Sequence, residues 1–249
     1  MKIKGIKLSK RTVALLAATI LLLSSGGIMG TNAALNVTTE GDRAYDATIA
    51  TDKLSVQLAE KAQGADEWTN LGDEATLFES LTESGVQPGM PYTDAIGVKN
   101  NGQADEYIRV VVRTYWTDPQ GNKDKKLDPA LIQLKMATGW TKKSGGSTET
   151  AIYYYAKPVT TKDGVITLFE SVRIDDSIAN EKTIYFDEGE GPKVVETIPT
   201  TGTGTITYEY KYNGYTFNVE AEAQAVQTHD AVKAIKSVWG VDAASVGIQ

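Results

Sequence analysis

Cysteine is missing altogether from this chain of 249 residues. Disulfides and thiolate metal sites are therefore excluded, and the fold must rest on burial and hydrogen bonding. An exported protein without cysteine fits a Gram-positive-like surface better than a disulfide-dense eukaryotic module. Histidine is nearly missing too, with His229 standing alone. A His-Glu-x-x-His zinc site needs two histidines one helical turn apart, so it cannot be built. A serine triad would have to use His229 as its base, but no Gly-x-Ser-x-Gly elbow accompanies it. Near the start of a candidate helix, His229 reads as a surface or capping residue. Phosphate-cradling glycine loops are lacking as well. No catalytic residue is assigned, and enzyme activity is not expected.

Long apolar runs are scarce, and the one that exists stands at the beginning. Residues 1–11 carry Lys2, Lys4, Lys7, Lys10 and Arg11 with no acid, and Val13 to Leu23 are almost unbroken aliphatics. Small residues follow from Gly26 to Ala34. A basic head, a short oily core and a small-residue exit are the parts of a secretory signal peptide. The core is about half of the roughly 20 residues a membrane-spanning helix needs. An uncleaved anchor from Val13 to Gly30 is the competing reading. The expected cut lies between Ala33 and Ala34, leaving residues 1–33 as the signal and residues 34–249 as one domain. The product is expected outside the cell, with no stable membrane span after processing.

Basic charge is in short supply. The chain carries −7, and removing residues 1–33 takes away five positive charges and no negative ones, leaving −12. A nucleic-acid face must neutralise phosphates with Lys and Arg, so nucleic acid is not an expected partner. Docking on anionic lipid is disfavoured by the same balance. Such a charge keeps a secreted protein soluble and makes assembly sensitive to salt. No Leu-Pro-x-Thr-Gly motif or hydrophobic C-terminal run is present, so covalent wall anchoring is not expected.

What is present is mostly two-residue periodicity. Ile108, Val110, Val112, Thr114 and Trp116 share one face of a run whose other face holds Tyr107, Arg109, Val111, Arg113 and Tyr115. This predicts a strand with one face in a core. Residues 92–99 read as its partner across an Asn100-Asn101-Gly102 turn. Further strands are predicted over residues 53–60, 130–136, 152–159, 164–174 and 183–186. Asn213-Gly214 inside the Thr- and Tyr-rich run 205–226 predicts a two-residue hairpin. Residues 73–82 and the stretch after Thr228 or Asp230, ended by Gly240, predict short helices. Residues 139–150 and 187–204 read as exposed loops. The expected class is all-β, an antiparallel jelly-roll-like β-sandwich with one or two short helices.

Carboxylates are the remaining source of chemistry. Asp187-Glu188-Gly189-Glu190-Gly191 and Asp175-Asp176 offer oxygen ligands for calcium but lack the spacing of an EF-hand loop. Solvated loops are the simpler reading, so no cofactor is assigned and calcium stays open. Glu220 and Glu222 lie two apart and share one strand face, where solvent exposure explains them better than glycosidase chemistry. Twelve tyrosines are present. Tyr153-Tyr154-Tyr155 and the set Tyr208, Tyr210, Tyr212 and Tyr215 read either as cross-strand packing or as a carbohydrate- or protein-binding face.

Gly30-Thr31-Asn32-Ala33 followed by Ala34-Leu35-Asn36 resembles the cleavage junction of the TasA/camelysin family, with Leu35 where an aromatic is usual. Val86-Gln87-Pro88-Gly89, Val98 to Gly102, Tyr107 to Val110, Tyr153 to Pro158 with Thr167 to Phe169, and Val219 to Gln227 leading to Trp239-Gly240 are similar to further family segments. The resemblance implies a jelly-roll-like sandwich exported by Gram-positive bacteria, processed by the signal peptidase SipW and contributing to biofilm-matrix fibres. No recognisable zinc site accompanies it, so the metalloprotease activity described for camelysin is not carried over.

A physical route to fibres is available in the residues after the cut. Ala34, Leu35, Asn36, Val37, Thr38 and Thr39 form an extended segment with Leu35 and Val37 on one face. Such a segment can add as a strand to an open sheet edge of the next subunit or of a related matrix protein. The contact does not close, so it propagates. Two alternatives remain: an ordinary first strand or frayed end of a monomer, and a monomeric cell-surface module that binds glycan or a host protein.

Overall fold

A computed structural model describes residues 54–199 and 203–248. Ala33 and the proposed donor segment Ala34–Thr39 lie outside the described residues. The first strands are β1 (Val56–Lys61), β2 (Thr69–Gly72), β3 (Glu74–Leu77), β4 (Pro91–Tyr92), β5 (Ala95–Asn100) and β6 (Glu106–Thr117). They are followed by β7 (Lys123–Asp124), β8 (Ile132–Met136), β9 (Trp140–Ser147), β10 (Thr150–Tyr155) and β11 (Ile166–Ile174). The last are β12 (Lys182–Asp187), β13 (Lys193–Val195), β14 (Thr205–Tyr210) and β15 (Thr216–Gln227). Two short helices complete the chain, α1 (Glu79–Ser84) and α2 (Ala231–Trp239).

The class is the expected one: an antiparallel, all-β sandwich. One sheet runs β2-β1-β5-β11-β4 with β8 also on β11; the other runs β3-β15-β6-β10-β9 with β7 on β6. The alternation of β6 places Ile108, Val110, Val112 and Trp116 between the sheets. They meet Leu58, Ile96, Val98, Leu168 and Val172 from the opposite sheet in one buried cluster. β15 does the same with Phe217, Val219, Ala221, Ala223 and Ala225, while its alternate residues face outward.

The outer face of the second sheet is covered by α2. Ile235 and Trp239, four apart on one helical face, pack with Tyr107, Tyr154 and Val226 in a second buried cluster. Gly240 ends the helix with φ 71 and donates its N–H to the Lys236 carbonyl at 3.1 Å. This left-handed position suits glycine. The expected side-chain cap is not made: Asp230 has φ 51 and makes no capping bond, so the first turn is closed through its carbonyl.

Three local expectations are corrected. β5 and β6 are not partners, because β5 pairs with β1 and β11 while β6 pairs with β10 and β15. Asn100-Asn101-Gly102 carries the chain from one sheet to the other. The run 205–226 is not a hairpin: β14 pairs with β12, and β15 pairs along its whole length with β6. Asn213-Gly214 does form a turn, with Gly214 at φ 80, but it redirects the chain between sheets. The helix expected over residues 73–82 starts as strand β3, whose pairing with β15 buries Leu77. Phe78 at φ 62 then switches the chain into α1.

Candidate assembly surfaces

β12, β13 and β14 form a third sheet in the order β13-β12-β14. None of their residues belongs to, or packs against, either buried cluster. Directly paired residues share a face, and the register sets Tyr210 opposite Lys182, Tyr208 opposite Ile184 and Ile206 opposite Phe186. On the other side of β12, Val195 stands opposite Ile184. One face of this sheet is therefore apolar and aromatic, with Lys182 and Lys193 at its margins. Ile206, Tyr208 and Tyr210 are 37%, 40% and 43% exposed. The two tyrosine rings stack with centroids 6.4 Å apart, and the Lys182 ammonium lies 5.2 Å from the Tyr208 ring centre. Phe186 lies against Gly204, where a Cβ would stand 2.6 Å from its ring and 2.7 Å from the Asp187 carbonyl oxygen, so any larger residue there forces the backbone to shift.

The base of this sheet is tied to the sandwich by Glu181. Its carboxylate pairs with the Lys211 ammonium and accepts from the Tyr212 hydroxyl at 3.1 Å. The hydrogen bond from Lys211 is the main cause holding the Glu181 carboxyl below its ordinary range.

Edges differ in how they are guarded. β9 carries Lys142 and Lys143 and a register shift against β10, both of which discourage further pairing. β2, β3, β4 and β7 are only two to four residues long. β14 has six residues, Thr-Ile-Thr-Tyr-Glu-Tyr, all exposed and, among the described residues, paired on one side only, with no lysine, proline or register shift.

The described chain enters the sandwich at the end opposite this sheet. Val56 faces Asn100, and Val98 faces Ile166, so β1 and β11 begin at the same end. β11 then runs to Ile174, beyond which the third sheet begins. In the other main sheet Gln227 pairs with Glu106 at the entry end, and Thr216 pairs with Thr117 where the chain returns from β14. The Ser55 amide donates to Glu106 Oε2 at 3.3 Å, and its carbonyl accepts from the Asn101 amide at 2.7 Å. Glu106 is fully buried, its Oε1 without a partner among the described residues, and burial pushes its pKa up to about 8.

The other residues singled out from the sequence are placed as follows. Tyr153 and Tyr154 point to opposite faces of β10. Tyr153 meets Phe169 edge-on at 5.0 Å in the main core, and Tyr154 meets Trp239 at 5.7 Å under α2. Tyr155 packs on Trp140. Tyr212 and Tyr215 meet edge-on at 5.3 Å. Only Tyr208 and Tyr210 of the named tyrosines are exposed as a pair. Asp187 Oδ1 accepts from the Gly189 and Gly191 amides, and Glu190 pairs with Lys193. Asp175 accepts from Ser177 and Gln133, and Asp176 lies 3.7 Å from Arg173. Glu220 accepts from the Tyr115 hydroxyl at 2.8 Å, and Glu222 accepts from Gln224. His229 is exposed beside Asp230 at 4.0 Å. Residues 139–150 and 187–204, expected as loops, contain the edge strands β9 and β13.

Among the described residues, no group of three or more His, Cys, Asp or Glu side chains is arranged to hold a metal ion. No described helix is long and apolar enough to cross a membrane. An open groove of about 640 Å3 between β8 and β9 is lined by Gln133, Lys142, Lys143, Glu149 and Tyr153 among others. Comparison with family models, with curated proteins and with solved structures finds no match for this chain.

Proposed function

We propose that this chain is a secreted structural subunit of an extracellular matrix, assembling by strand donation rather than performing chemistry. Cleavage between Ala33 and Ala34 by a SipW-type signal peptidase frees Ala34–Thr39, which then adds to a sheet of another copy or of a related matrix protein. While still joined to the leader, the segment is not free to be donated, so processing acts as the switch. The observation that carries this reading is a signal-like junction placed ahead of a body whose third sheet leaves the β14 edge unpaired among the described residues. The TasA/camelysin-like segments support it.

The test compares the chain beginning at Ala34 with one beginning at Glu40. Filaments visible by negative-stain electron microscopy are expected only from the longer chain, with both folded by circular dichroism. Filaments from both chains, or from neither, would defeat the reading.

A second reading, a monomeric surface module for glycan or a host protein, is favoured by the exposed Tyr208–Tyr210 pair. It predicts a lasting monomer whose elution shifts with added polysaccharide.

A further inference from the structure

We infer that the third sheet is the receiving surface for the next copy, with Ala34–Thr39 of that copy adding along the free edge of β14. This rests on the strand-donation reading and names its acceptor. Four observations converge on it. β14 is the one long edge among the described strands without lysine, proline or a register shift, and such an edge templates pairing with another chain. It belongs to a sheet whose apolar face is covered by neither buried cluster. An isolated three-stranded sheet is stabilised by gaining a strand and covering that face.

The segment also fits the edge. Six residues meet six, and Leu35, Val37 and Thr39 fall on one face by the two-residue period. That face extends the surface made by Ile206, Tyr208 and Tyr210, while Asn36 and Thr38 extend the face of Thr205, Thr207 and Glu209. The segment carries no charged side chain, so its approach to an acidic protein meets no like-charge repulsion beyond that of the body behind it.

The placement of the two ends fits a head-to-tail contact between copies. The chain enters at the Ser55 end, and the third sheet stands at the opposite, Thr117 end. A donor at one end and an acceptor at the other make a head-to-tail contact that does not close. Fifteen residues, 40–54, separate the donor segment from Ser55. They span at most about 50 Å, enough to reach an abutting neighbour and, since the twelve-residue β6 is about 40 Å long, the same copy as well; the cross-linking below separates the two.

The absence of cysteine allows a direct test in the full mature chain. Asn36→Cys and Thr207→Cys are combined in the chain starting at Ala34 and treated with a short bis-maleimide linker. The expected result is a ladder of covalent dimers, trimers and higher species on a denaturing gel. Self-linked monomer alone, dimers from Thr207→Cys alone (which would indicate β14 pairing with β14), or no linked species would each overturn the inference.

A second measurement separates the acceptor from the donor. Ile206→Asp and Tyr208→Asp lie outside both buried clusters, so the sandwich is expected to stay folded, and assembly is expected to slow by about tenfold or more, the equivalent of a modest loss of contact energy. If deleting Ala34–Thr39 abolishes filaments while both Asp variants assemble at the parent rate, the acceptor is wrong and strand donation stands. If the deletion leaves filaments intact, strand donation itself fails.

Discussion

Glu106 places a carboxylic acid where water does not reach, and among the described residues its carboxyl meets one hydrogen-bond partner, the Ser55 amide. Desolvation favours the neutral acid over the anion, which is why its pKa rises to about 8 from an ordinary 4.5. The consequence for stability has a definite sign. Between about 4.5 and 8 the folded chain holds a proton that the unfolded chain releases, so stability falls as pH rises through that window. Glu106→Gln keeps an oxygen for the Ser55 amide and removes the titration. Urea denaturation at pH 5 and pH 8 should show the parent losing about 3 kcal/mol that the variant retains. An equal pH response in both proteins would mean that Glu106 is ionised, or hydrated, in the fold. The stake at this residue exceeds its own energy, because Ser55 is where the chain enters the sandwich from the proposed donor segment.

At the scale of elements, α2 is the clearest case of a helix held by tertiary burial. Nine residues are too few for a stable isolated helix in water, and its first turn lacks a side-chain cap. What holds it is one face: Ile235 fully buried, and Trp239 packed edge-on against Tyr154 with the Arg109 guanidinium 5.1 Å from its ring centre. Trp239→Ala should therefore cost about 3 kcal/mol, whereas Val232→Ala, at a position 68% exposed, should stay within about 0.5 kcal/mol. Equal costs in chemical denaturation would show that this cluster is not a core. The same contrast explains what could be read from the sequence. Of Ala231, Ile235, Val238 and Trp239, the apolar residues read on adjacent turns of this helix, Ile235 and Trp239 are buried while Val238 is 37% exposed; the helix and the alternating β6 both stand where expected. Partners were not legible. Asn213-Gly214 encodes a bend but says nothing about which strand receives the chain afterwards, and twelve residues of β15 pair with β6 instead of β14. Lys142, Lys143, Gly145 and Gly146 read as loop because an edge strand tolerates lysine and glycine that a central strand would not. The receiving surface was half visible: Tyr208 and Tyr210 were singled out, but their separation from Tyr212 and Tyr215 depends on a third sheet that only long-range pairing creates. The alternation Ile206, Tyr208, Tyr210 was the one signal that could have found it.

For the whole molecule, charge opposes what the strand edges promote. A chain starting at Ala34 carries −12 and repels its copies, and the ion pairs seen among the described residues involve exposed groups and contribute little individually. Two subunits brought head to tail must bring their acidic bodies within a few tens of ångströms of each other. The Debye length is about 30 Å at 0.01 M salt but about 8 Å at 0.15 M. At low salt each body therefore feels the other over most of its own diameter, whereas near physiological ionic strength the repulsion is confined to the contact itself. The contact proposed here is made by a segment without charged side chains, its one charge being the new α-ammonium of Ala34, on an apolar face, so its attraction is mainly backbone pairing and burial, which screening does not weaken. Assembly of the chain starting at Ala34 should then speed up as salt is raised from 0.01 to 0.15 M, with a shorter lag in light scattering and no change in the folded spectrum. A lag that lengthens with salt would mean that opposite charges drive the contact, and the acceptor would have to be sought at a charged surface such as the lysine-lined groove between β8 and β9.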